Sequence, residues 1–162
     1  MFVEKLSIFV ETHGCQMNEY DSDRIINSLS AHPVKNPADA DVVIVNTCAI
    51  RDKADHKAVS AIGRYKKYKI SNPNLIIGMA GCVAQLYGKK LIKQIPHLDF
   101  VIGPREIGKL KELIKDIKDS SKFKKINTSM DIEEIFKVSP YHEEGKINGF
   151  VSIQQGCNKK CA

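Results

Sequence analysis

The sequence lacks any long hydrophobic run. Its apolar stretches, such as residues 42–45 and 75–77, are only a few residues long, whereas a membrane-spanning helix needs about 20 apolar residues. No signal-peptide pattern precedes them. With 162 residues, 43% of them hydrophobic, the chain is long enough to bury one core. We therefore expect a cytoplasmic protein with no membrane partner.

The sequence also lacks the even set of cysteines that a disulfide framework uses. An odd number in a chain without secretory features makes such a framework a poor explanation. Thiol–disulfide exchange is the weakest interpretation, because no Cys-x-x-Cys helix start is present. Metal binding therefore becomes the leading question for the five cysteines, which are Cys15, Cys48, Cys82, Cys157 and Cys161.

Acidic residues are outnumbered by basic ones. The chain has 25 Lys and Arg against 19 Asp and Glu, a formal net charge of +6. Such a balance suits a polyanionic partner such as RNA, although a solvated, lysine-rich surface explains the same charge. The basic residues cluster at Arg64/Lys66/Lys67/Lys69, Lys89/Lys90/Lys93 and Lys122/Lys124/Lys125.

Strand and helix patterns alternate over the first 118 residues. Short runs rich in Val and Ile predict strands at residues 7–11, 41–46, 74–79 and 99–103. Between them apolar residues recur at helical spacing. This alternation predicts an α/β fold, namely a flavodoxin-like parallel sheet of four or five strands with helices on both faces. The clearest helical stripe consists of Ala54, Ala58, Ala61, Ile62 and Tyr65.

The organisation changes after residue 118. Residues 119–146 lose the hydrophobic periodicity and are rich in Ser, Lys, Asp and Glu, so they predict a linker. Residues 147–154 then predict a new strand. We expect residues 1–118 to form one domain, and residues 147–162 to be the first strand and cluster loop of a second domain that the sequence leaves incomplete.

Three cysteines recur at the same place in successive strand–helix units. Cys15, Cys48 and Cys82 are separated by 33 and 34 residues, so a parallel sheet would bring all three to its carboxyl edge, where such folds bind ligands. A buried Cys near a strand end also serves as a small hydrophobe. Three at one edge favour a shared [4Fe–4S] cluster. Structural zinc with His13 as fourth ligand is the weaker alternative.

Cys157 and Cys161 form a second group after the predicted strand at residues 147–154. They are separated by three residues, which is two thirds of a Cys-x3-Cys-x2-Cys motif. A close cysteine pair also binds zinc in many proteins. The third cysteine of the motif would stand three residues after Cys161, beyond the given sequence.

Six short segments together resemble the motifs of one family. They read Gly-Cys-Gln-Met-Asn at residues 14–18, Asp-Ser at 21–22, Asn-Thr-Cys-Ala-Ile-Arg at 46–51, Lys-Ala at 53–54, Gly-Cys-Val-Ala-Gln at 81–85 and Gly-Cys-Asn-Lys-Lys-Cys at 156–161. This combination resembles the methylthiotransferases of the radical S-adenosylmethionine class, which modify adenosines in tRNA or a ribosomal protein. His13 and Ala162 depart from the family pattern, but neither is at a ligand position.

The resemblance implies the roles of both cysteine groups. Cys15, Cys48 and Cys82 would hold an auxiliary [4Fe–4S] cluster, and Cys157 and Cys161 would be two of three ligands of the radical cluster. S-adenosylmethionine would be the other cofactor. The full-length protein would then be a transferase, whereas this chain, the amino-terminal part of that protein, is expected to be inactive alone because the catalytic domain is missing.

The resemblance also implies a substrate. Gln-Met-Asn at residues 16–18 resembles the branch that methylthiolates C2 of N6-isopentenyladenosine at position 37 of tRNA, so the partner would be the tRNA anticodon stem-loop. The alternatives are a methylthiotransferase acting on threonylcarbamoyladenosine or on a ribosomal protein, and a flavodoxin-like RNA-binding module without a cluster. We expect a monomer, and the sequence does not identify the sulfur donor.

Polar residues flank the first three cysteines and have two possible roles. They could donate hydrogen bonds to cluster sulfur or bind substrate, but turn formation and helix capping explain the same residue types. These residues are Asn18, Asn46, Thr47 and Arg51.

Overall fold

The computed structural model describes residues 6–49, 54–120 and 125–127 of the chain. Its strands are β1 (Ser7–His13), β2 (His32–Pro33), β3 (Val42–Thr47), β4 (Ile76–Gly81), β5 (Phe100–Ile102) and β6 (Lys125–Asn127). Its α-helices are α1 (Gln16–Ser28), α2 (Ala54–Ser71), α3 (Cys82–Gln94) and α4 (Leu110–Ser120), and 3-10 turns span Pro37–Asp39 and Pro104–Lys109.

The strands form one parallel sheet in the order β2-β1-β3-β4-β5-β6. The predicted α/β fold class is therefore confirmed, and the four predicted strands correspond to β1, β3, β4 and β5. The sheet has six strands rather than four or five, because two short strands, β2 and β6, add to its edges. The sheet extends through β6 to residue 127, inside the segment that the sequence predicts to be a linker.

The central strands are covered on both faces, which explains their continuous apolar sequences. Every residue of β3 and β4 is buried, as is typical of parallel sheets with helices on both sides. On one face α2 and α3 pack against Val43, Val45 and Met79. On the other face α1 and α4 pack against Ile44 and neighbouring residues.

The register of three adjacent strands sets the geometry of the carboxyl edge. His13 at the end of β1 pairs with Thr47 at the end of β3, which in turn pairs with Gly81 at the end of β4. The three strands therefore end level with one another. In the part of the chain that the structure describes, no helix has both the length and the apolar character needed to cross a bilayer.

A glycine on β4 allows the sheet to accommodate its largest buried side chain. Gly78 pairs with Phe100 on β5, and the fully buried Phe100 ring occupies the place that a Cβ on residue 78 would take. Any larger residue at position 78 would have to displace this ring within a closely packed core.

Gly78→Ala should therefore lower the free energy of unfolding by about 1–3 kcal/mol, as overpacking does. Gly63→Ala is the matched control, because Gly63 lies within α2 and has nothing within 4 Å of its would-be Cβ. That change should raise the free energy of unfolding by about 0.5–1 kcal/mol through helix propensity. Urea unfolding followed by circular dichroism measures both; a Gly78→Ala chain as stable as the parent would contradict the packing described.

Candidate metal centre

The three strand-end cysteines lie at the same edge of the sheet. Cys15 follows β1 and is the N-cap residue of α1, Cys48 directly follows β3, and Cys82 directly follows β4 as the first residue of α3. Because these strands are adjacent and about 4.8 Å apart, the outer two are separated by about 10 Å. The sheet thus brings all three cysteines to one short stretch of its carboxyl edge.

The thiols of this edge differ in exposure and interact electrostatically. All three are free thiols; Cys15 is exposed, Cys48 is buried and Cys82 is intermediate. Burial is the largest cause that raises the pKa of the Cys82 thiol, and the charges of Cys48, Asp21 and Cys15 raise it further. A hydrogen bond from the Ala49 backbone acts in the opposite direction. The folded chain thus favours the protonated form of the Cys82 thiol.

The number and type of donor groups bear on two kinds of metal site. Among the side chains that the structure describes, no three Cys, His, Asp or Glu residues are grouped as ligands of one metal ion. Mononuclear zinc needs its ligands around a single ion, whereas in a [4Fe–4S] cluster each thiolate binds a different iron. Three soft sulfur donors on adjacent strands therefore fit a cluster better than a zinc ion.

His13, the candidate fourth ligand of a zinc site, contacts a different group. Its Nε2 lies 2.9 Å from Glu11 Oε1, two residues earlier on β1. The Glu11 carboxylate also accepts hydrogen bonds from Arg64 and Tyr65 of α2. Burial raises the pKa of Tyr65, and this carboxylate raises it further. His13 therefore belongs to a polar cluster between β1 and α2.

Two glycines allow the cysteine-bearing turns to approach one another. Gly81 has φ +93°, which favours glycine, and a Cβ there would fall against the Thr47 carbonyl oxygen and 2.7 Å from Asn46 Oδ1. A Cβ on Gly14 would lie 2.6 Å from Cys48 Cβ. The turn before Cys15 therefore passes directly beside Cys48.

A buried network of amides fixes the turn that carries Cys15. Asn46 on β3 is fully buried; its Nδ2 donates to Asn18 O at 2.7 Å and to Ser22 Oγ at 2.9 Å, and its Oδ1 accepts from Asn18 Nδ2 at 3.3 Å. Asn18 Oδ1 in turn accepts from the Cys15 backbone N–H at 3.3 Å. Ser22 Oγ lies 2.7 Å from Thr12 Oγ1 on β1. The network thus joins α1 to β1 and β3 immediately behind the thiols.

The flanking polar residues that the sequence singles out are only partly described. Asn18 and Asn46 belong to the buried network, and Thr47 Oγ1 donates to Ala80 O at 2.8 Å, so all three form structural hydrogen bonds behind the site. Arg51, Cys157 and Cys161 lie outside the described residues.

Asp21, which the sequence analysis names as part of a family motif without a role, is also a site residue. It lies on α1, is 7% exposed, and pairs with Arg24 at 2.9 Å. Burial raises its pKa, although the Arg24 guanidinium acts in the opposite direction. Its charge also raises the pKa of Cys82, so it acts on the thiol edge electrostatically. The i, i+3 spacing of Asp21 and Arg24 was the available sequence signal.

Fold and site together define a class of protein: a parallel α/β domain with three free thiols at the carboxyl edge. Residues 7–103, from β1 to just beyond β5, match the family model described as "Uncharacterized protein family UPF0004". The match covers more than half of the chain and includes all three strand-end cysteines. The chain belongs to this family.

The chain is also similar to named curated proteins. Three of them are named tRNA-2-methylthio-N(6)-dimethylallyladenosine synthase. The protein of Janthinobacterium sp. (strain Marseille) is 39% identical over 96% of this chain and 35% of the relative, and that of Stutzerimonas stutzeri (strain A1501) is 40% identical over 95% of this chain and 36% of the relative. The protein of Xanthomonas campestris pv. campestris (strain B100) is 41% identical over 96% of this chain and 33% of the relative. The predicted resemblance to tRNA methylthiotransferases is confirmed. The chain spans about a third of the length of these relatives.

Removing Asn46 should loosen the turn that carries Cys15. Asn46→Ala removes the buried acceptor of Asn18 Nδ2 and the two hydrogen bonds that Asn46 donates to Asn18 O and Ser22 Oγ, so the free energy of unfolding should fall by about 1–3 kcal/mol. Asn74→Ala, at an exposed position before β4, should change it by less than about 0.5 kcal/mol. Urea unfolding compares the two variants; equal, small losses would show that the network contributes little.

The raised pKa of Cys82 predicts slow alkylation of the metal-free chain. The pKa of Cys82 is higher in the folded chain than in the unfolded chain. The protonated thiol therefore stabilises the fold at any pH below the pKa of the unfolded chain, and this stabilisation is lost as the pH rises through the pKa of the folded chain. Iodoacetamide reacts with thiolate, so the Cys82 rate should rise at a higher pH than in the unfolded chain.

Peptide mass spectrometry across about pH 7 to 11 would measure this midpoint. The same peptide in concentrated urea is the matched reference. A midpoint in the folded chain at or below that reference would contradict the burial described for Cys82.

Proposed function

We propose that this chain forms the auxiliary-cluster domain of an enzyme that methylthiolates C2 of N6-isopentenyladenosine at position 37 of tRNA. The observation that carries the proposal is the arrangement of Cys15, Cys48 and Cys82 as free thiols on three adjacent, in-register strand ends. Similarity to synthases named for 2-methylthio-N(6)-dimethylallyladenosine in tRNA supports this substrate over the other branches.

Cys15, Cys48 and Cys82 would hold a [4Fe–4S] cluster, each as the ligand of a different iron. When bound, such a cluster supplies one iron without a protein ligand, at which sulfur can be held. The chain's own part is to fix the three thiols. Asn18 accepts a hydrogen bond from the Cys15 backbone N–H, and Asn46 in turn holds the Asn18 side chain, which limits the positions that the Cys15 side chain can reach.

The exposure of the site favours access from one side. Cys48 is 5% exposed, whereas Cys15 is exposed and the neighbouring Met17 is 49% exposed. Cys48 and the packed helices behind it would exclude water from one side of a bound cluster. The side at Cys15 would remain open to substrate or to another domain of the full-length enzyme.

Other parts of the proposal concern the full-length protein. Cys157 and Cys161 would be two of three ligands of a second, radical [4Fe–4S] cluster in a domain that begins at residues 147–162, with S-adenosylmethionine as its co-substrate. Only part of residues 119–146 would be a linker between the two domains, because strand β6 lies within this segment. The partner of the full-length protein would be the tRNA anticodon stem-loop, and the protein would be a cytoplasmic monomer. This chain alone would be inactive.

An RNA-binding module without a cluster is the second candidate function. The observation that favours it is the net charge of +6, which requires no metal. Iron content separates the two candidates, because only the first needs it.

Anaerobic reconstitution with iron and sulfide tests the proposal. The parent chain should bind about four iron per chain, as one [4Fe–4S] cluster requires. Cys48→Ala should lose most of this iron, because two thiolates cannot hold the cluster. The matched control is Cys157→Ala combined with Cys161→Ala, which should keep about four iron because it leaves the sheet edge intact.

Electron paramagnetic resonance of the reduced samples identifies the type of cluster, and circular dichroism checks that each variant is folded. If Cys48→Ala keeps its iron and the double variant loses it, the assignment of the site is wrong. If the folded parent binds no iron, the module without a cluster becomes the better description.

A further inference from the structure

Charge is segregated between the two helical layers that cover the sheet. Helices α2 and α3, on one face, contain eight Lys or Arg residues and one Asp, a net charge of +7. Helices α1 and α4 with the 3-10 turn Pro104–Lys109, on the other face, contain six Lys or Arg and seven Asp or Glu, a net charge of −1. The excess positive charge of this domain therefore lies on one face.

Seven cations of this layer are exposed, and six of them, all except Lys57, lie on α3 and in the second half of α2. Arg64 pairs with Glu11. Among the acidic side chains that the structure describes, none forms an ion pair with Lys66, Lys67 or the lysines of α3. We name this surface the basic face and define it by Arg64, Lys66, Lys67, Lys89, Lys90 and Lys93.

Aromatic rings lie among these cations. Tyr87 on α3 is 42% exposed and stands two residues before Lys89. On α2 the Lys67 ammonium lies 4.9 Å from the centre of the Tyr68 ring. Surfaces that combine cations with accessible rings suit RNA, because phosphates bind the cations and unpaired bases stack on rings. An acidic protein would use the cations alone.

The basic face lies on two helices that run from the carboxyl edge of the sheet. Helix α3 begins at Cys82, and Lys93 lies eleven residues further along the helix, a distance of about 16 Å. Helix α2 packs beside α3 and also runs away from the carboxyl edge, since both are crossover helices of a parallel sheet. A strand bound along this face and extended toward the amino ends of both helices would therefore reach the cysteines.

We infer that the basic face binds the phosphate backbone of RNA, with one end of the bound strand directed toward Cys15, Cys48 and Cys82. The inference rests on the proposed function, which makes an RNA the substrate. It adds the surface by which this domain holds that substrate. Lys66, Lys67 and the lysines of α3 contact phosphates, and Tyr87 stacks on an unpaired base.

The test uses the complete 162-residue chain and an unmodified tRNA transcript, with affinity measured by fluorescence anisotropy over a range of salt concentrations. Lys89→Gln, Lys90→Gln and Lys93→Gln are combined in one variant. Each lost phosphate contact reduces the slope of log affinity against log salt by about 0.7 to 0.9. The slope of this variant should therefore fall by about 2 to 3.

The matched control makes the same change of charge on the opposite face. Lys111→Gln, Lys115→Gln and Lys118→Gln are combined on α4, where all three lysines are exposed. Net charge is then equal in the two variants, so any difference between them reports position. The control should keep the parent slope, and circular dichroism should show the same helix content in all three chains.

Three outcomes overturn the inference: the same loss in both variants, no loss in the α3 variant, or no measurable tRNA binding by the parent at low salt. Displacement of tRNA by polyglutamate at equal charge concentration would also overturn it, by assigning the face to an acidic protein. Iron content measured on the same samples keeps the two proposals apart. If the α3 variant binds as much iron as the parent chain and its slope of log affinity against log salt is unchanged, only the inference of RNA binding by the basic face is wrong.

Discussion

The register of three parallel strands is the constraint on which the rest of the structure depends. Since His13, Thr47 and Gly81 pair across β1, β3 and β4, the residues that follow them leave the sheet at the same level. Parallel strands all point the same way, so cysteines placed one or two residues after each strand end reach one edge. A shift of one residue in any strand would turn its side chains to the opposite face and separate the cysteines.

Bringing three turns together at one edge has an energetic cost, which the buried amides and glycines reduce. A fully buried Asn46 would lose its hydrogen bonds to water, but the structure gives both its amide nitrogen and its oxygen partners on α1. Gly81 removes the Cβ that would meet the Thr47 carbonyl. Stability of the edge and placement of the thiols thus depend on the same residues, so a variant that disturbs one should disturb the other.

Features that depend on local pattern could be predicted from the sequence, and features that depend on packing could not. Strands β1, β3, β4 and β5 carry Val and Ile runs, and the cysteine spacings of 33 and 34 residues locate the thiol edge. Strands β2 and β6 have two and three residues, too few for a period to be recognised. The sequence pattern indicates only a polar position on a helix for Asp21. Its burial near the thiols results from the packing of α1 against the sheet.

The thiol edge and the basic face favour ligands of opposite charge, and they can coexist on one domain because they are separated. Burial raises the pKa of Cys82, and the charges of Cys48, Asp21 and Cys15 raise it further, so the surroundings of this thiol disfavour added negative charge. The α3 lysines suit an anion, and Lys89 lies seven residues beyond Cys82 along the helix, about 10 Å away. That distance is about one Debye length in physiological salt, so exposed lysines act only weakly on the thiols. Charge changes on the basic face should therefore leave cluster binding nearly unaltered, because distant sites contribute independently.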